Sequence, residues 1–91
     1  MTPRRYTVEL AASAGRAFRK LDPSTQHQLA RAIDSLSENP RPHRSIRLKG
    51  AEDIYRIRSG NYRILYTIED RRLLVLVVAI GHRREIYRRS Q

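Results

Sequence analysis

The stretch "IYRIRSGNYRILYTIEDRRLLVLVVAIGH", residues 54–82, decides the fold. Its first two parts, IYRIR at 54–58 and NYRILYTI at 61–68, alternate apolar and polar side chains. That is the period of a strand with one face buried. Ser59 and Gly60 separate them and signal a hairpin. EDRR at 69–72 then turns the chain into LLVLVVAI, 73–80, where every position is apolar. A strand apolar on both faces belongs in the interior of a sheet. Three strands joined by two short turns therefore form the antiparallel heart of the molecule.

Working outward, SIRL at 45–48 adds a short strand, with KGAED at 49–53 as its turn. YTVEL at 6–10 alternates in the same way and predicts a strand near the N-terminus. Between these strands the period changes. Ala14, Ala17, Phe18 and Leu21 fall at i, i+3, i+4 and i+7, one stripe of a helix over 12–21. Asp22 can cap a second helix, and Pro23 suits its first position, where a missing N–H is harmless. Leu29, Ile33 and Leu36 line one side of that helix with Ala32 beside them, and ENPRP at 38–42 ends it. The expected fold class is α+β: a short N-terminal strand and a helical hairpin on one face of a small, mostly antiparallel sheet. Residues 1–91 are expected to make a single domain, since domains commonly run to about 100–150 residues.

Charge narrows the function. Nineteen Lys and Arg against nine Asp and Glu leave a net charge of +10, and only Lys20 and Lys49 are lysines. Arginine offers planar, bidentate recognition of phosphate or carboxylate. A preference for arginine codons accounts for arginine over lysine equally well, but not for the excess charge, which points to a polyanion or an acidic protein partner. There is no cysteine, so disulfides and thiolate metal sites are excluded. The start, MTPRRYTVEL, lacks the apolar core of a signal peptide, and the longest apolar run is far below the roughly 20 residues that span a bilayer. A cytoplasmic protein without membrane association is expected.

Strand parity assigns faces. Tyr55 and Ile57 point one way, Arg56 and Arg58 the other. Tyr62, Ile64, Tyr66 and Ile68 share a face opposite Arg63, Leu65 and Thr67. In the last strand Arg83 has the parity of Val75, Val77 and Ala79, and His82 that of Leu74, Leu76 and Val78. If the helices cover the larger residues, Arg56, Arg58, Arg63 and Arg83 emerge together on the open face, and His82 sits on the core side. The tyrosines at 55, 62 and 66 then read as core. His27 and His43 have no partners at metal-ligand spacing, so no metal site is expected.

The order RLKGAEDIYRIRSGNYRILY followed by VLVVAIGHRREIYRR, with ARAIDSLSENPRP before it, resembles the RelE/ParE superfamily of toxins from type II toxin–antitoxin pairs. The resemblance runs over nearly all of the chain and is nearest the RelE branch. It implies a ribosome-dependent endoribonuclease that cuts messenger RNA with no metal or other cofactor and so inhibits translation. It also implies a cognate antitoxin held in a hetero-oligomer with the toxin. Carried over by motif, the catalytic positions are Arg56, Arg63, Arg83 and Tyr87. Arg58, Lys49, His82 and Arg84 are candidates for substrate binding. Arg56 and Arg58 stand where some members carry lysines. Alternatives remain open beside these roles. Tyr87 can act as a base, stack on an RNA base, or cover the sheet edge; His82 can orient or exchange protons; Lys49 can touch RNA or simply be solvated. At the level of function, a ParE-type toxin inhibiting DNA gyrase and a catalytically silent RNA- or ribosome-binding member are the other readings.

Overall fold

Chain order is β1 (Thr7–Leu10), α1 (Ala12–Arg19), α2 (Pro23–Ser35), β2 (Ile46–Arg47), β3 (Ile54–Ser59), β4 (Tyr62–Glu69), a 3-10 turn (Asp70–Arg72) and β5 (Leu74–His82). These elements come from a computed structural model that describes residues 5–48 and 53–82. Among the described residues no helix is long and apolar enough to cross a membrane. The five strands form one sheet in the order β1-β5-β4-β3-β2. β1 runs parallel to β5, and the other three pairings are antiparallel. Strand β5, which carries the apolar run, lies between β1 and β4, as expected of a strand apolar on both faces.

The second helix starts where its sequence says. Asp22 is extended, its Oδ2 accepts from the Thr25 N–H at 3.1 Å, and Pro23 follows. The Thr25 hydroxyl, which donates to Asp22 Oδ1 at 2.6 Å, and then the Thr25 N–H hold the Asp22 carboxyl below the ordinary carboxylate range. α1 has no side-chain cap at its start. At its end the Gln26 amide donates to the carbonyls of Phe18 and Arg19, at 3.0 and 3.3 Å, so α2 satisfies the last turn of α1.

Both helices cover one face of the sheet. Ala14 from α1 and Leu29, Ala32 and Ile33 from α2, with Leu36 just beyond it, meet Ile57, Ile64, Tyr66, Val75, Val77 and Ile80 in a single core. Fully burying each large apolar side chain contributes about 1.5–3 kcal/mol. Tyr55 and Tyr62 pack against the border of this core, as parity predicted.

Parity fails in β5. Val75 and Val77 are fully buried, whereas Leu74, Leu76 and Val78 are only half-buried, the reverse of the expected arrangement. The ladder gives the reason. Tyr66 pairs with Val77 and Leu65 with Ala79, leaving Val78 as an extra residue in a β-bulge. Alternation restarts after the bulge, so Ile80 and His82 join the face of Val75 and Val77, and Ala79 and Gly81 join the other. His82 is on the core side as expected, but beside Ile80 and Tyr62 rather than Leu76 and Val78. The hairpin turn also shifts by one residue. β3 runs to Ser59 and pairs it with Tyr62, so the turn residues are Gly60 and Asn61. Gly60, at φ +60°, takes the first turn position, where glycine suits a tight hairpin.

A polar clasp closes the far end. Asp70 accepts from the Tyr6 hydroxyl at 2.7 Å and from both terminal nitrogens of Arg41, at 3.2 and 2.9 Å. Arg41 also lies over the Tyr55 ring, 5.5 Å from its centroid, and Tyr55 stacks on Tyr66. The buried Tyr66 hydroxyl donates to the Pro40 carbonyl at 2.7 Å. This joins the start of β1, the loop after α2 and the 3-10 turn.

Candidate nucleic-acid interface

On the face turned away from the helices, β3 and β4 hold their arginines in register. Arg58 lies opposite Arg63, and Arg56 lies opposite Leu65 on one side and Ile46 on the other. These residues, with Arg44 and the turn at Gly60 and Asn61, line an open groove of about 640 Å³. Arg63 is 7% exposed, the one charged residue among the described residues that is buried to that degree. It sits on the middle strand, with Arg58 beside it on β3 and Gly81, which has no side chain, beside it on β5. Arg56 is half-buried and its Nε is enclosed; Arg58 is exposed.

Like charges directly opposite on neighbouring strands are destabilising. Burial sharpens the effect, because a lower effective dielectric strengthens both repulsion here and attraction to an anion. No carboxylate lines the groove among the described residues. Glu69, Asp70 and Asp53 pair with Arg72, Arg41 and Arg47 elsewhere. With strands about 4.8 Å apart, Arg44, Arg56, Arg58 and Arg63 line one groove, and an arginine can bind a phosphate through two parallel hydrogen bonds. No three His, Cys, Asp or Glu side chains gather as a metal-binding group among the described residues.

Of the residues singled out in the sequence, Arg56, Arg58 and Arg63 are brought together in this groove. His82 is not with them. Its ring meets Tyr62 edge-on at 5.7 Å and borders a separate hollow with Arg16 of α1 and Lys20 just beyond that helix, across the sheet from the arginines. Lys49, Arg83, Arg84 and Tyr87 lie outside the described residues. His27 and His43 are exposed. Sequence reasoning missed Arg44, Ile46 and Asn61 as groove residues. A signal for Arg44 was present: Ile46 opposes Arg56, and Arg44 is two residues before Ile46, with the same parity.

Comparison with known proteins agrees with this architecture. Residues 7–87 match the family described as the ParE toxin of type II toxin–antitoxin systems, parDE. The mRNA interferase toxin RelE of Escherichia coli strain K12 is 31% identical over 86 residues, spanning 90% of each chain. The toxin in the RelBE2 toxin–antitoxin complex of Mycobacterium tuberculosis superposes with a TM-score of 0.79 at 26% identity, covering 89% of this chain and 94% of its own. For the intact E. coli RelBE complex the TM-score is 0.74 at 30% identity, with 85% of this chain and 95% of that one covered. A helix-covered sheet with arginines in register on its open face, matched over nearly the full length at both sequence and fold, places this chain in the RelE/ParE family of type II toxin–antitoxin toxins.

Proposed function

We propose that this toxin is a messenger-RNA endoribonuclease that acts in the ribosome in the cytoplasm and is restrained by a cognate antitoxin. The observation that carries this reading is the groove, lined by four arginines, that brings Arg56 and Arg58 beside the buried Arg63. RNA supplies its own nucleophile. The ribose 2′-oxygen attacks the adjacent phosphorus, the P–O5′ bond breaks, and the products are a 2′,3′-cyclic phosphate and a 5′-hydroxyl. One proton leaves the 2′-oxygen and one reaches the departing 5′-oxygen.

In this reading Arg63 and Arg56 hold the scissile phosphate and stabilise the extra negative charge of the pentavalent intermediate. Arginines so placed are donors rather than proton shuttles, because guanidinium stays charged near neutral pH. Tyr87 is assigned as the base. A free phenol of pKa about 10 is only about 0.1% ionised at pH 7, and neighbouring cations favour its phenolate. Arg83 is assigned to the leaving oxygen, and Arg58, Lys49 and Arg84 to flanking phosphates. His82 is assigned an orienting role through Tyr62, since it borders the helix face.

Purified toxin added to translating ribosomes is expected to cut messenger RNA in the A-site codon, leaving a 5′-hydroxyl on the downstream fragment. Arg63→Ala and Tyr87→Phe are each expected to slow that cut by at least about tenfold with the fold retained by circular dichroism. Undiminished cleavage in both variants rejects the site. Gyrase-dependent DNA breaks in place of RNA cleavage establish the protein-binding reading instead.

A further inference from the structure

A second basic surface adjoins the groove. Arg44 borders the groove of Arg56, Arg58 and Arg63, and it also borders a hollow of about 450 Å³ against α2. That hollow is lined by His27, Arg31, Ser24, Ser35 and Ser59 together with Gln28. The two hollows meet where α2 touches the β3–β4 turn. Gln28 donates to the Ser59 hydroxyl at 3.1 Å, next to Gly60, whose missing side chain gives Gln28 its space.

No carboxylate lines either hollow among the described residues. Among the described acids, Glu38, Asp53, Glu69 and Asp70 are in ion pairs with Arg5, Arg47, Arg72 and Arg41, Asp22 is at its helix cap, and Glu9 is exposed on β1. Asp34 faces the apolar hollow toward β1, which Arg31 also borders. Cations, hydroxyls and an amide thus continue around the β2–β3 edge from one face of the molecule to the other. A groove of positive charge with neutral donors is how proteins follow a single-stranded backbone without reading its bases.

We infer that this track binds phosphates of the same RNA strand that occupies the arginine groove, led around the sheet edge by Arg44 and held against α2 by Arg31. The inference rests on the RNA-cutting reading of the groove and adds a second grip that acts on binding rather than on the reacting phosphate. Its occupant is the sugar-phosphate backbone beyond the cut.

The test uses the full-length toxin and uncleavable 2′-O-methyl oligoribonucleotides of about 4 and about 16 nucleotides, lengths that span the range of single-strand sites. Arg31→Ala is expected to weaken the longer strand by about fourfold at low salt and to leave the shorter within about twofold, and adding Arg44→Ala, which also borders the groove, to bring the loss on the longer strand to about tenfold. The slope of log affinity against log salt should fall by about 1.4 for two phosphates released from a single strand. Arg71→Ala/Arg72→Ala removes two cations at the other end of β4 and should change neither affinity by more than about twofold. Both pairs are exposed, and matching unfolding midpoints check the fold. Equal losses on both lengths, or none, overturn the track. A loss seen only in binding to ribosomes also overturns the continuous-strand path and assigns the surface to ribosomal RNA. Arg63→Ala separates the two levels: it should weaken both lengths, and if it weakens neither, the groove reading fails whatever the α2 variant does.

Discussion

At the scale of single residues, the chemistry was largely written in the sequence, because charge and side-chain type survive folding unchanged. Parity alone put Arg56, Arg58 and Arg63 on one face, and the register of β3 and β4 agrees. What parity could not give was burial. Nothing in the string RIRSGNYR says that Arg63 is enclosed while Arg58, directly opposite, is exposed. That difference comes from their strands: Arg63 is in the middle of five, Arg58 is one strand nearer the edge. Like charges directly opposite on neighbouring strands repel, which makes Arg58 a test of charge against packing. Arg58→Thr removes the repulsion and adds a good strand former. It is expected to raise the stability from urea unfolding by about 0.5 kcal/mol while weakening RNA binding. A lower midpoint in urea would show that Arg58 contributes more by packing than it costs by charge.

Among the elements, α2 was the most legible, since its cap, its proline and its apolar stripe agree with one another. The last strand was the least. VLVVAI has no glycine, proline or polar residue to mark Val78 as the bulge, and the assumption that larger side chains face inward chose the wrong set. Inward position was set by the partner strand: Ile68 and Tyr66 bring Val75 and Val77 with them. The turn between β3 and β4 carries its own test. A Cβ on Gly60 would lie 2.6 Å from the Gln28 amide nitrogen, and the backbone there is left-handed. Gly60→Ala is expected to destabilise the protein by about 1 kcal/mol and to displace Gln28 from Ser59. Gly60→Asn, better tolerated at positive φ, should cost less. Equal thermal midpoints for wild type and Gly60→Ala would remove the turn from any role in holding α2 to the sheet.

For the whole molecule, the clasp at Asp70 sets the response to acid. The Arg41 guanidinium, and after it the Tyr6 hydroxyl, hold the Asp70 carboxyl at about 2 against an ordinary 3.8. A carboxylate whose pKa is depressed by folding stabilises the native state above its unfolded pKa, and that contribution disappears as pH falls through the folded one. The loss should therefore begin near 3.8 and be complete below about 2. The pair is exposed, so its effect is small and weakened by salt. Unfolding midpoints of wild type and Asp70→Asn are expected to differ at neutral pH and to converge through this acid window; a constant gap would assign the difference to packing. The three partners were not anticipated as a group, because Tyr6, Arg41 and Asp70 are far apart along the chain and only the assembled fold brings them together.

The surplus valine in the last strand has one further consequence. Because Val77 meets Tyr66 and Ala79 meets Leu65, a chain lacking Val78 could close the same ladder without turning any later side chain over. The strand therefore carries one residue of slack, and what that slack provides is direction rather than cohesion. A bulge of this kind bends a strand and tightens its twist, so the heading of Gly81 and His82 is fixed from inside the framework.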